Sequence, residues 1–233
     1  MSRTLLSLPT WAFAVADDAL YVNLFAGLSV DVGRVGGTPL RVEQVTDYPW
    51  DGRVAVRLHP ATPARFAVHI RAPRRDPSAL YTATPPGDGI TAMSVNGEPA
   101  DVTPDGRGYV VIDRLWLPGD RVEFEVPLPV QRVRADDRVL SHRGRVAFRR
   151  GPLVYNLETA DGQDVDRPVG RSDPSAEWRP DLLGGIVALR GAFGDGSPLL
   201  AVPNYARLNR GGRSIVWVPA GPADPGPEPS REP

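Results

Sequence analysis

Cysteine is absent from the 233 residues. That excludes disulfides, thiolate metal ligands and a cysteine nucleophile from this chain. Lysine is absent too, so all 27 basic residues are arginine, and 28 acidic residues bring the net charge to −1. With no basic excess to neutralise phosphates, no nucleic-acid partner is expected. No apolar run approaches the roughly 20 residues that a helix needs to cross a bilayer, and no membrane partner is expected. Nucleophile and phosphate-binding signatures are missing as well: there is no G-x-S-x-G, no H-E-x-x-H and no Walker loop. Gly33-Arg34-Val35-Gly36-Gly37 is glycine-rich but opens no helix, and reads as a loop between strands.

Punctuation is what the chain has in plenty. Gly 24 and Pro 26 make up more than a fifth of it, beside 41% hydrophobic residues, a composition that favours many short strands. Leu20 to Phe25 reads as a strand, and Arg53 to His59 alternates with Val54, Val56 and Leu58 on one face. Arg65 to Arg71 does the same with Phe66, Val68 and Ile70, and Pro60 to Ala64 reads as the hairpin loop between the two. Met93-Ser94-Val95 runs into the turn dipeptide Asn96-Gly97. Tyr109 to Ile112 is a continuous apolar run, suited to a strand buried on both faces. Val122, Phe124 and Val126 alternate with charge, and Arg145–Arg149, Leu153–Leu157, Ile186–Leu189, Leu199–Val202 and Ser214–Val218 complete the set.

About fifteen such segments exceed the roughly seven to nine strands of one sandwich. The expected fold is therefore all-β, two consecutive antiparallel β-sandwich domains with a short N-terminal helical or strand remnant. The boundaries are residues 1–16 for the remnant, 17–131 and 132–219 for the two sandwiches, and 220–233 for a disordered tail, with the seam near Pro127 to Val130. Pro73 to Gly89 and Asp161 to Asp181, rich in Pro, Gly, Asp and Ser, read as poorly ordered.

The N-terminus supports two readings. Ser2 to Leu8 reads as the last turns of a helix stopped near Pro9, after which Trp11, Phe13 and Val15 alternate as a strand does. Alternatively, Arg3, the apolar stretch Thr4 to Phe13 and the A-x-A site Ala14-Val15-Ala16 make a signal peptide. The first implies a cytoplasmic protein, the second a secreted one.

Candidate chemistry is sparse. Glycoside hydrolysis needs two carboxylates, and Glu43, Asp47 and Asp51 sit beside Trp50, an aromatic that can serve as a sugar platform. The commoner use of Pro49-Trp50-Asp51-Gly52 is a hairpin turn with Trp50 packed on the core, and that use is expected. His59 and His69 fall on the outward faces of their strands, where pairing brings them together, but no third ligand is signalled and solvated histidines are expected. His142, in the polar turn Ser141 to Gly144, reads as a surface residue, and Arg149-Arg150-Gly151 as a charged strand end. No catalytic, cofactor-binding or metal-ligating residue is assigned, and no cofactor is expected.

Several stretches together resemble glycoside hydrolase family 127, the β-L-arabinofuranosidase family. They are Ala19 to Phe25, then Asp47-Tyr48-Pro49-Trp50-Asp51-Gly52, then Gly108-Tyr109 through Arg114-Leu115-Trp116 with Gly119-Asp120. Arg145 to Tyr155 comes next, and last are Val202 to Ala206 with Asn209-Arg210-Gly211 and Val216 to Pro219. The five motifs are collinear between about Arg3 and Pro219, with Asn204 and Leu208 standing where the family often has aromatics.

The resemblance implies an N-terminal (α/α)₆ barrel that carries catalysis, followed by β-sandwiches. It also implies a zinc site of one Glu and three Cys, one of them the nucleophile of a retaining reaction. Residues 3–9 resemble the stretch directly after the barrel's last cysteine motif, so none of those ligands maps onto this chain. On this basis the chain is a non-catalytic β-sandwich portion, inactive alone, that braces a barrel or forms a dimer interface. Its expected partners are a separate catalytic barrel chain or a second copy, with carbohydrate as a further ligand. The alternative is an independent carbohydrate-binding module.

Overall fold

A computed structural model of the chain describes Ser7 and residues 10–74 and 78–221. The expected disordered tail, from residue 222 on, lies outside the described residues, as do Leu5, Leu6 and Leu8. In chain order the strands begin with β1 (Phe13–Ala16), β2 (Ala19–Val22), β3 (Leu28–Val35), β4 (Thr38–Thr46), β5 (Arg53–Pro60) and β6 (Ala64–Arg71). Next come β7 (Tyr81–Thr84), β8 (Ala92–Val95), β9 (Glu98–Pro99), β10 (Tyr109–Trp116), β11 (Asp120–Glu125) and β12 (Val130–Ala135). The last are β13 (Arg145–Arg150), β14 (Leu153–Glu158), β15 (Ser175–Arg179), β16 (Ile186–Ala192), β17 (Pro198–Pro203), β18 (Ser214–Ile215) and β19 (Val218–Pro219). Helix is confined to Ser7, residues 10–12 and three short 3₁₀ turns among the described residues, so the fold is all-β.

The strands form two units, residues 1–75 with 88–127 and residues 76–87 with 128–233. The first is a sandwich of a four-stranded sheet, β1-β2-β6-β10, and a six-stranded sheet, β3-β4-β5-β11-β8-β9. Alternation builds its core. Val22, Val68, Ile70 and Val110 from one sheet meet Val42, Val54, Val56, Leu58, Val122 and Phe124 from the other in a single buried cluster. Fully burying each such side chain contributes about 1.5–3 kcal/mol. Trp116 is wholly buried there and donates its indole N–H to the Phe66 carbonyl at 2.9 Å. One pairing departs from the antiparallel pattern: β2 runs parallel to β6.

The second unit has one continuous sheet, β15-β16-β17-β14-β13-β12-β7, with β18 added to β14 and β19 to β13. It curls, because side chains from β13, β14, β16, β17 and β19 converge on one cluster around Phe148, Tyr155, Leu157, Leu189 and Val218. Ile186, Ala188 and Val202 face a smaller cluster on its other side, so β16 and β17 are buried on both faces.

Several expectations change. Pro60 to Ala64 is no hairpin: β5 pairs with β4 and β11, β6 with β2 and β10, and the loop carries the chain from one sheet to the other. The glycine-rich stretch is mostly strand, since β3 runs to Val35 through a bulge at Gly33, and only Gly36 and Gly37, at φ 58 and 76, make the turn. The segments read as poorly ordered hold β7, which pairs with β12, and β15, which pairs with β16. Trp11 is helical and 52% exposed, whereas Phe13 is 8% exposed and belongs to the first core. The β10 run is buried on one face only: Val110 is 2% exposed and Val111 is 42% exposed.

Candidate functional site

Two surfaces of the first unit and two clusters of the second carry side chains capable of more than packing. On the outer face of the four-stranded sheet, the register sets Ala14 beside Tyr21, Tyr21 beside His69 and His69 beside Val111 in one row. The His69 imidazole stacks on the Tyr21 ring at 4.3 Å and 13°. Tyr109 meets both rings edge-on, at 5.5 and 6.1 Å, and its hydroxyl donates to Asn23 Oδ1 at 2.8 Å. Arg107 lies 6.0 Å from the Tyr21 ring centre.

The turn that presents Tyr109 closes on Asp105, whose carboxylate accepts the amides of Arg107 and Tyr109 at 2.8 and 3.0 Å. Gly108, at φ 85, supplies the left-handed residue this turn requires. The Tyr109 amide, ahead of Arg107, holds the Asp105 carboxyl below its usual range.

His69 faces outward, as alternation predicts, but it is not solvated. It is 7% exposed, and its Nδ1 is buried without a hydrogen-bond partner. Burial, with Arg107 nearby, pushes its pKa below the ordinary value, and Asp105 offsets part of that. Alternation tells which face a residue takes but not that Tyr21, 48 positions earlier, covers it through a parallel pairing. His59 lies opposite Arg41 in the other sheet. The two histidines therefore do not come together.

The outer face of the six-stranded sheet carries a groove of about 530 Å³. Its middle row is Val45, Ala55, Glu123 and Ser94. The Asp51 carboxylate accepts from the Arg53 guanidinium at 2.8, 3.1 and 3.2 Å, and Arg121 meets Glu123 at 2.6 Å. Asp47 and Asp51 line the groove, while Glu43 pairs with Arg57 at 3.2 Å outside it. Trp50 sits in the expected turn but is 41% exposed. Tyr48 packs against the core in its place, edge-on to Phe25 at 5.5 Å. An open groove crossed by ion pairs differs from the apolar pocket that readies a carboxyl to donate a proton.

In the second unit, His142 is no free surface residue. Its ring stacks on Trp217 at 4.1 Å and 17°, with Tyr81 about 6 Å from both rings. Nearby in sequence to Trp217, Arg210 binds two carboxylates, Glu158 at 2.8 Å and Asp161 at 2.9 Å. Glu158 is wholly buried and also accepts the Leu208 amide at 2.6 Å. Burial pushes its carboxyl up, but the Leu208 amide, Arg210 and Ser214 outweigh burial and hold it below the usual range. This arrangement neutralises a buried charge and leaves it no proton to give.

The zinc site that the resemblance implies needs one Glu and three thiolates. A chain without cysteine, whose histidines stand apart, does not fit that donor set.

Comparison with known proteins decides the family. Residues 19–128 match the β-L-arabinofuranosidase GH127 middle domain, and residues 130–219 match the glycoside hydrolase family 127 C-terminal domain. The chain belongs to glycoside hydrolase family 127. The two matched stretches adjoin at residue 129.

A curated relative, the non-reducing end β-L-arabinofuranosidase of Bifidobacterium longum subsp. longum, is 35% identical over an alignment of 159 residues that covers 63% of this chain and 22% of that one. A GH127 β-L-arabinofuranosidase from Geobacillus stearothermophilus T6 has a solved structure that superposes with a TM-score of 0.78 at 29% identity. That match covers 94% of this chain and 36% of the other. A second GH127 β-arabinofuranosidase structure gives a TM-score of 0.81 at 29% identity, covering 94% and 38%.

The chain thus spans little more than a third of its solved family 127 relatives, and less of the curated one. The motifs that carry the family likeness fall on load positions of the fold: Trp116 in the first core, Tyr155 in the second, and Arg210 on the buried Glu158. Asp120 likewise ties the Asn96 side chain at 2.8 Å and the Leu117 amide at 3.0 Å.

Proposed function

We propose that this chain is the non-catalytic β-sandwich portion of a family 127 glycoside hydrolase. It braces a catalytic domain supplied by the rest of a longer chain or by a separate one. The observation that carries the reading is the pair of domain matches, middle and C-terminal, over a span little more than a third of the solved relatives. The side-chain chemistry supports it, since Asp51 and Glu123 in the groove and Glu158 in its cluster are held in ion pairs with arginines. A dimer interface is the other structural role open to the same surfaces.

The resemblance implies a parent activity, hydrolysis of β-L-arabinofuranosides, whose thiolate nucleophile and zinc ligands would come from outside this chain. This chain has no thiolate to attack with. The test is release of nitrophenol from nitrophenyl β-L-arabinofuranoside. Pure chain, with or without zinc, gives none, and activity appears when the missing part of the enzyme is supplied. Turnover that survives repurification and disappears when one carboxylate here is replaced would overturn the reading.

A second reading, an independent carbohydrate-binding module, draws on the groove and on Trp50 exposed in the turn beside it. Titration calorimetry with arabinose oligosaccharides separates the two. Binding that Trp50→Ala abolishes favours the module.

A further inference from the structure

We infer that the outer face of the four-stranded sheet β1-β2-β6-β10 is the surface on which the remainder of a full-length family 127 chain docks. The inference rests on the bracing role proposed above and names the face through which that role is exercised.

The first unit has two outer faces of opposite character. Across the six-stranded sheet, Glu43, Arg57 and Arg121 form one row, and Arg53, Glu123 and Glu125 stand close by. Ion pairs cross this face, with Val45 and Trp50 standing singly exposed at 49% and 41%. Across the four-stranded sheet the central row is Ala14, Tyr21, His69 and Val111. Val111 and Leu115 on this face are 42% and 52% exposed. Trp11, just before β1, is 52% exposed, and Leu117, just after β10, is 45% exposed.

Charges border the apolar row: Arg65 pairs with Asp113 at 3.2 Å, and Arg71 is exposed beside Tyr109 in the ladder. An apolar, aromatic centre with a charged rim is the anatomy of a protein interface. Exposed apolar surface gathered on one sheet face calls for a cover.

The centre is already rigid. His69 is stacked on Tyr21 and met edge-on by Tyr109, whose hydroxyl is tied to Asn23. Ordering these rings at an interface therefore costs little side-chain entropy, which is how pre-organised surfaces gain affinity. The stack also explains why an imidazole on an outward position is 7% exposed before any partner arrives.

The relatives indicate the occupant. The solved family chains are nearly three times as long as the part this chain matches. The matched middle domain starts at Ala19, the first residue of β2, and the segment leading into it is β1, the edge strand of this same sheet. The part of those chains that precedes the middle domain is thereby delivered to this sheet's edge.

A second copy is the weaker fit on area. Strands of these lengths present roughly 400 Å² on one face, against about 800 Å² per partner in a stable interface. Covalent continuity makes up the difference by raising the local concentration of the partner.

The test is hydroxyl-radical footprinting with peptide mass spectrometry. One sample is this chain alone. The other is this chain fused to the part of the Geobacillus stearothermophilus T6 relative that it does not match. Oxidation of Tyr109, Val111 and Leu115 is expected to fall at least fivefold in the fusion, with Val45 and Trp50 unchanged. Leu115→Glu with Val111→Arg is expected to abolish that protection and lower the fusion's melting temperature, but not that of the isolated chain.

Protection at Val45 and Trp50, or in the second unit alone, overturns the choice of face and leaves the bracing role standing. No protection anywhere, with the two parts of the fusion melting independently, overturns the bracing role itself. Protection of Val111 in the isolated chain that grows with its concentration assigns the face to a second copy and overturns the occupant proposed.

Discussion

The imidazole of His69 lies flat on the phenol ring of Tyr21, centroids 4.3 Å apart and planes within 13°. The relationship comes from the parallel pairing of β2 with β6, which places the two residues side by side at one ladder position. Neighbouring strands lie about 4.8 Å apart, so flat rings on adjacent strands meet face to face. The stack turns an outward histidine into a buried one, and this has a consequence for stability.

Burial of His69, with Arg107 adding to it, lowers its pKa from the ordinary value. The folded chain then holds this proton less tightly than the unfolded chain. Stability is fully present where the unfolded histidine is neutral, above about pH 7, and declines as pH falls below about 6.5. His69→Phe keeps a ring on Tyr21 and removes the titration. Urea unfolding at pH 7.5 and 5.5 is expected to show a smaller drop in the variant than in the wild type. Equal drops would show that His69 does not titrate across this window.

The contrast between His69 and Val54 marks how far the sequence is legible. Val54, Val56 and Leu58 are buried as their alternation requires, because period-2 patterning reports directly which side of a strand faces the core. The same rule identifies many of the strands of both units, though not β3, β4 or β12. It does not report which strands pair. Pro60 to Ala64 looks like a hairpin loop because loops between sheets and loops within one share Pro, Thr and Ala. β7 and β15 are hidden because Pro and Asp around them mask four or five extended residues. The candidate surfaces are legible only in part. Val111 reads as core until the other side of its sheet is seen to be uncovered, and Trp50 until Tyr48 is found in the slot it was expected to fill.

Arg210 is the counter-charge of a carboxylate with no access to water. Glu158 is 0% exposed, and Arg210 and the Leu208 amide meet its oxygens. Removing one partner of a buried pair strands the other, at a cost of about 3–5 kcal/mol. Arg210→Gln is expected to lose that much. Glu158→Gln with Arg210→Gln is expected to lose less than the two single changes added together, because the stranded charge is gone. The Glu158 carboxyl is held low in the fold, so the wild-type contribution persists above the ordinary carboxylate range and is lost as pH falls through the folded value. Denaturant unfolding of the three variants measures the coupling, and strict additivity would show that the pair is not energetically linked.

Gly52 closes the β4–β5 turn against the end of β11. Its carbonyl accepts the Val126 amide at 2.9 Å, and a Cβ placed on it meets the Val126 carbonyl oxygen at 2.1 Å. Backbone cannot move aside as a flexible side chain does. Gly52→Ala therefore has to break the contact or shift the strand end, and is expected to cost more than about 2 kcal/mol. Gly97→Ala is a useful companion: it meets nothing within 4 Å but sits at φ 87, so its cost is purely conformational, about 1 kcal/mol. Thermal unfolding of the two variants ranks them, and a Gly52→Ala no worse than Gly97→Ala would contradict the close approach.

The first sixteen residues carry Leu5, Leu6, Leu8, Trp11, Phe13 and Val15. From the sequence, their apolar side chains suggest a segment whose removal relieves self-association, or a leader that is cut away. The structure points the other way for residues 12 to 16. Ala12 is 1% exposed, and its carbonyl accepts the amides of Asn23 and Leu24 at 2.8 and 3.3 Å. Phe13 lies in the first core, and β1 pairs along its length with β2. A chain starting at Asp17 loses a buried phenyl group, which costs about 3–5 kcal/mol in a core, and exposes β2 as a new sheet edge open to edge-to-edge pairing. Truncation is therefore expected to lower the first unit's unfolding midpoint and to increase aggregation, leaving the second unit's transition in place. Phe13→Ala in the full chain should reproduce most of the stability loss without the new edge, separating the two effects. Light scattering and calorimetry on the three proteins decide it. A truncated chain that stays monomeric and melts where the full chain melts would show β1 to be dispensable, and would return residues 1–16 to the reading of a cleavable leader.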